Sequence, residues 1–137
     1  MQGLAEAFAM LELPFASDRA RRLNVAVFET IYHAALEASS ELARELGPHV
    51  TFENSPASQG RFQLDMWDAA PTGRYDFSTL KDQVTRYGLR HAMLTAQMPT
   101  ASSSQILGHS EGIDPLVRCV LTPCAIRSLR ADLLVTQ

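Results

Sequence analysis

Residues 17–48 constrain this chain more than any other segment. Ser17 is a good helix N-cap, and Asp18 puts a negative charge in the first turn, where the helix dipole is positive. Leu23, Val27, Ile31, Ala35, Ala38, Leu42 and Leu46 then recur every three or four residues, so a helix gathers them into one stripe. Arg21, Arg22, Glu29, Glu37, Glu41 and Arg44 fall mostly off that stripe. Glu37 and Glu41 stand one turn apart, which mildly opposes the helix. Gly47-Pro48 stops it, because glycine accepts the left-handed cap and proline cannot continue. The small residues Ala34, Ala35, Ala38, Ser39 and Ser40 leave room for another element to approach closely.

Shorter elements flank this helix. Leu4, Phe8 and Leu11 share helical spacing within a first helix over about residues 3–12, which Pro14 ends. Residues 48–75 are loop-rich, punctuated by Ser55-Pro56, Gly60, Pro71 and Thr72-Gly73, with Phe62, Leu64, Met66 and Trp67 available to pack back. Asp76 caps a third helix that runs to about Tyr87, with Phe77, Leu80, Val84 and Tyr87 on one face and Gly88 as its stop. The apolar run Ala92-Met93-Leu94-Thr95-Ala96 reads as a strand. A mostly helical chain with one strand in helix–strand–helix order points to an α/β architecture.

The global numbers exclude several classes. A chain of 137 residues, 46% hydrophobic and 20% charged, suits one globular domain and not a disordered segment. A net charge of −3 gives no electrostatic reason to expect nucleic acid. No apolar run is long enough to span a bilayer, and no basic-then-apolar leader opens the chain, so a cytoplasmic protein is expected. Cys119 and Cys124 form neither C-x-x-C nor half of a paired metal motif, and they read as free or buried thiols.

The chemistry concentrates at residues 98–108, Met-Pro-Thr-Ala-Ser-Ser-Ser-Gln-Ile-Leu-Gly. A helix opening here gathers the hydroxyls of Thr100, Ser102, Ser103 and Ser104 beside N–H groups that lack partners within the helix. That makes an anion site, with a nucleotide phosphate as the expected anion. The plainer reading is a Ser/Thr cap and nothing more. His33, His49, His91 and His109 lack metal-like spacing and read as surface or locally bonded histidines. Asp65 and Asp68 beside Trp67 read as solvated loop carboxylates, Arg19, Arg21 and Arg22 as a solvated helix face, and Met93 and Met98 as packing residues.

Several runs together resemble the large subunit of class I ribonucleotide reductase. They are Gln2-Gly3-Leu4-Ala5-Glu6-Ala7-Phe8; Phe28-Glu29-Thr30-Ile31-Tyr32 with Ala35-Leu36-Glu37-Ala38-Ser39; Ser55-Pro56-Ala57-Ser58-Gln59-Gly60 leading to Asp65-Met66-Trp67; and Met98-Pro99-Thr100-Ala101-Ser102 with Gln105-Ile106-Leu107-Gly108 and Glu111-Gly112-Ile113-Asp114-Pro115. They stand in the family's order and cover about residues 2–115. The resemblance implies a fragment of a ten-stranded α/β barrel that reduces ribonucleoside diphosphates to deoxyribonucleotides for DNA synthesis. It places Thr100, Ala101, Ser102 and Ser103 in the loop that holds the substrate diphosphate. No lysine lies near that loop in the sequence, Lys81 being the only one, so such binding would be dipolar and geometric.

The departures define the expected limits. By the resemblance, the family's thiyl cysteine, carboxylate, asparagine, redox cysteine pair and radical-passing tyrosines all fall outside the matched region. So does the region that binds allosteric ATP or dATP. The chain is therefore expected to hold no cofactor or catalytic residue of its own and to be inactive alone. The family's partners are a metal-containing small subunit, which supplies the radical, and other large-subunit chains. Residues 1–115 are expected to be a partial barrel domain, and residues 116–137 a divergent tail of different origin. The alternative function is a non-catalytic truncated paralogue acting as a protein-interaction fragment.

Overall fold

The computed structural model describes residues 2–115; Cys119, Cys124 and the rest of residues 116–137, expected to be a divergent tail, lie outside the described residues. The described chain is helical: α1 (Leu4–Met10), α2 (Asp18–Leu46), α3 (Gln63–Met66), α4 (Phe77–Tyr87) and α5 (Ala101–Leu107), with 3-10 turns at Phe52–Asn54 and Pro56–Gln59. Its contacts gather into two compact units. One takes residues 2–24 with 96–115, and the other is Val25–Thr95.

The first unit has a small core of Phe8, Leu13 and Ala20, with Leu4 and Leu23 packed against it. The Phe8 and Phe15 rings meet at 5.8 Å. Gly3 caps α1 in a left-handed conformation (φ 89). Leu11, expected on the buried face, is exposed because the helix has already ended at Met10. Ser17 caps α2 as expected, its hydroxyl accepting the Ala20 N–H at 3.2 Å.

The second unit is built on α2 from Val25 onward. Leu36, Phe52, Phe62, Phe77, Leu80, Val84 and Leu89 form its core, with Tyr32, Ala57, Leu64, Tyr75 and Leu94 packed against it. Helix α4 starts where Asp76 accepts the Ser78 and Thr79 N–H groups. Hydrogen bonds from the Ser78 and Thr79 hydroxyls, with those amides, hold the Asp76 carboxyl far below the usual carboxylate range. Gly88 ends the helix at φ 83, and a Cβ there would lie 2.6 Å from the Pro48 side chain, so both backbone and space require glycine.

The buried face of α2 differs from the apolar stripe read in the sequence. Glu29, Leu36, Ser39, Ser40 and Ala43 are buried, whereas Leu42 and Leu46 are 40% and 64% exposed. The reason is polar and distant in sequence. Glu29 accepts from both the backbone N–H and the hydroxyl of Thr72. The Ser39 carbonyl accepts the Arg90 N–H at 3.0 Å, and its hydroxyl accepts the His91 N–H at 3.1 Å. The Thr30 hydroxyl donates to the Ala26 carbonyl and so receives the Tyr75 hydroxyl at 3.0 Å.

The apolar run at residues 92–96 forms no strand among the described residues. A strand requires a neighbour with which to exchange backbone hydrogen bonds, and no described segment pairs with it. Met93 and Met98, expected to pack, are 91% and 61% exposed. Phe62 is buried and Leu64 half-buried as expected, but Met66 and Trp67 point to solvent.

Leu36 is 2% exposed at the centre of the second unit's core. Leu36→Ala should lower the unfolding free energy by about 2–5 kcal/mol in a urea titration, whereas Val50→Ala, at a fully exposed position, should stay within about 0.5 kcal/mol.

Candidate functional site

The candidate loop lies in the first unit. Thr100 is the N-terminal boundary of α5 and adopts a left-handed conformation (φ 58, ψ 30) that a β-branched residue rarely takes. Its side chain caps nothing in α5. The Thr100 hydroxyl instead accepts the Gly112 N–H at 2.9 Å. Its carbonyl accepts the Ser104 N–H at 2.9 Å, closing the first turn.

The four hydroxyls therefore do not act as one cluster. Ser104 is 1% exposed and turned inward, its hydroxyl donating to the Ala101 carbonyl at 2.9 Å. The Ser103 hydroxyl makes a long 3.4 Å contact to the Thr100 carbonyl. Ala101, Ser102 and Ser103 are exposed on the first turn. Their N–H groups have no acceptor within the helix, which is the general condition of a helix start. The structure thus places Thr100, Ala101, Ser102 and Ser103 side by side, with backbone donors as the main resource.

The segment after α5 also shapes the loop, a role that sequence reasoning missed. Gly108 ends the helix with a left-handed cap (φ 71), and the His109 N–H returns to the Ser104 carbonyl at 3.0 Å. Ser110 is 2% exposed, and both its N–H and its hydroxyl donate to one oxygen of Glu6, at 2.5 and 2.6 Å. Partial burial pushes the Glu6 carboxyl up, but the Ser110 hydroxyl and N–H outweigh it and hold it below the usual glutamate value. Gly112, again left-handed (φ 64), then presents its N–H to Thr100. The only local signal was a serine close behind a glycine stop; its partner lies 104 residues away.

The other polar groups have local roles. Asp65 accepts the Phe62 N–H at 2.7 Å and pairs with Lys81 at 2.5 Å, and the Lys81 bond is the main cause of its lowered pKa. His33 stacks on Tyr75 at 4.7 Å, beside an open groove of about 310 Å³ that Glu37, Arg74 and Asp76 also line. His49 contacts the Thr51 hydroxyl, and His91 the Ser39 hydroxyl, each at 3.2 Å. Arg21 pairs with Asp18 at 3.3 Å on an exposed face. Among the described residues no three His, Cys, Asp or Glu side chains are placed to hold a metal ion.

The family model described as "Ribonucleotide reductase, barrel domain" matches residues 1–123. The ribonucleoside-diphosphate reductase large chain of Neurospora crassa is 55% identical over 115 residues, covering 84% of this chain and 12% of that one. Large chain 2 of Saccharomyces cerevisiae is 53% identical over 116 residues, covering 85% and 13%. The large subunit of Arabidopsis thaliana is 50% identical over 115 residues, covering 84% and 14%. The chain belongs to the ribonucleotide reductase family, matching part of the barrel domain of a class I large subunit. It spans 12–14% of the length of these curated relatives.

The lowered Glu6 pKa has a definite sign. The stabilisation it reflects is fully present above the ordinary glutamate value of 4.5 and is lost as pH falls through the lower folded value. In a heteronuclear NMR titration the side-chain carboxyl carbon of Glu6 should show its titration midpoint below the ordinary glutamate value of 4.5.

Proposed function

We propose that this chain contributes the substrate diphosphate-binding loop of a ribonucleoside-diphosphate reductase large subunit, with residues 100–103 as the binding turn. One observation carries the reading: Ala101, Ser102 and Ser103 present exposed backbone and hydroxyl donors on a single first turn, because Thr100 bends the chain into it. Donors of this kind suit a phosphate through dipoles and direction, without an ion pair. The relatives' names supply the substrate class, a ribonucleoside diphosphate. Reduction needs a radical and a reductant, and the proposed role of this chain is binding alone. Residues beyond it, the small-subunit partner and allosteric nucleotides would complete the enzyme. Residues 1–115 form the partial barrel domain in this reading and residues 116–137 a separate tail. No helix among the described residues is long and apolar enough to cross a membrane.

A second reading, a non-catalytic fragment that docks on a protein partner, draws on the exposed Met10, Trp67, Met93 and Ile106.

The two readings separate in a titration of the purified chain with cytidine diphosphate, followed by amide NMR. The first expects saturable shifts at Ala101, Ser102 and Ser103 near millimolar nucleotide, about −4 kcal/mol of binding. Pyrophosphate should compete and cytidine should not. Ser102→Ala and Ser103→Ala should each weaken binding by about three- to tenfold. A folded chain whose loop amides ignore the nucleotide would leave only the second reading.

A further inference from the structure

Thr100 holds a backbone conformation that its side chain disfavours, so something outside residue 100 must fix it. The nearest cause is the Gly112 N–H, bonded to the Thr100 hydroxyl at 2.9 Å. Gly112 can act there only if the return after α5 is itself held. That return is anchored at Ser110, which is buried and gives both of its donors to a single oxygen of Glu6. The other Glu6 oxygen is buried and has no partner. Besides its place in the first turn of α1, the Glu6 carboxylate is committed, among the described residues, to the Ser110 return. His109, whose charge lowers the Glu6 pKa further, sits on the same return.

We infer that Glu6 is a positioning residue for the phosphate loop, with its carboxylate oxygen fixing Ser110 so that Gly112 can hold Thr100 in its left-handed turn. The inference rests on the reading of residues 100–103 as the diphosphate loop. It adds to that reading the residue that sets the loop's shape from α1. Glu6 touches no substrate in this scheme. It acts through Ser110, the short chain link to Gly112, and Thr100; the first and last of these steps are hydrogen bonds in the structure.

Because one oxygen receives both donors, charge is dispensable and a carbonyl oxygen is sufficient. Glu6→Gln should therefore restore what Glu6→Ala removes, an outcome that mere packing by the side chain stem would not single out. The test uses the full 137-residue chain. In Glu6→Ala, amide exchange at Ser110 and Gly112 should speed up on the order of tenfold or more, with Leu13 and Val84 unchanged. Glu6→Gln should stay within about threefold of wild type, and Ser110→Ala, which keeps the backbone donor, should fall between. Cytidine diphosphate affinity should follow the same order. Ser110 and Gly112 amides that exchange at the wild-type rate in Glu6→Ala would overturn the inference. So would Glu6→Ala binding cytidine diphosphate as tightly as wild type, and that result would leave the diphosphate reading standing. Failure of wild type itself to bind overturns the diphosphate reading and with it the loop role of Glu6; amide exchange then still decides whether Glu6 holds the return. If Glu6→Ala does not fold, the contrast between Ser110→Ala and wild type decides, and equal exchange at Gly112 in the two overturns the inference.

Discussion

Glu29 sits in the 29-residue helix α2 and is only 8% exposed. A carboxylate in that place is tolerable only if its oxygens are occupied, and Thr72 fills both, one with its N–H and one with its hydroxyl. The rest of the second unit depends on bonds of this kind. Ser39, one helical face further along, receives the N–H groups of Arg90 and His91 and ties the segment after α4 to α2. Between these polar anchors Leu36 reaches the aromatic core of Phe52, Phe62 and Phe77. Hydrophobic burial supplies the bulk stabilisation, and the polar anchors select which face of α2 receives it. Removing Thr72 would leave a buried charge without a partner, which is costlier than never having placed one there.

The dependence on distant partners explains what the sequence revealed. Helix limits were legible because their causes are local. Ser17 caps its own helix, Asp76 accepts amides two and three residues on, and Gly47 and Gly88 carry the positive φ that a stop demands. The buried face of α2 was not legible. Leu42 and Leu46 looked like core by spacing, and Glu29 looked like surface by its place off the stripe, whereas Ser39 and Ser40, read as small residues that leave room for a close approach, are indeed buried. Only the return of residues 72, 90 and 91 reverses that assignment. The strand expected at residues 92–96 is not formed among the described residues for the same kind of reason, since apolar composition gives a segment the tendency to pair but does not supply the pair.

The loop shows the same division in miniature. A hydroxyl-rich run after proline announced a helix start, and α5 begins there at Ala101. Its internal arrangement could not be read from the run. Thr100 does not cap, Ser104 turns inward, and the buried Ser110 is decided by Glu6, at the other end of the described chain. Local chemistry located the turn, and long-range bonding set its shape.

That shape matters more here than it would in a loop with a cationic side chain. A lysine tolerates misplacement, because a point charge attracts an anion over several ångströms and from any direction. Backbone N–H groups lose most of their attraction when misaligned, so a loop that relies on them depends on its φ and ψ angles. In the proposed reading, the turn at residues 100–103, which carries no cationic side chain of its own, offers an anion direction and not charge. Under that reading, substitutions that never touch a ligand, at Glu6, Ser110 or Gly112, bear on binding through the shape of the turn. The two left-handed glycines that frame the return, Gly108 and Gly112, belong to the same set, for they let the chain turn back far enough to reach Thr100.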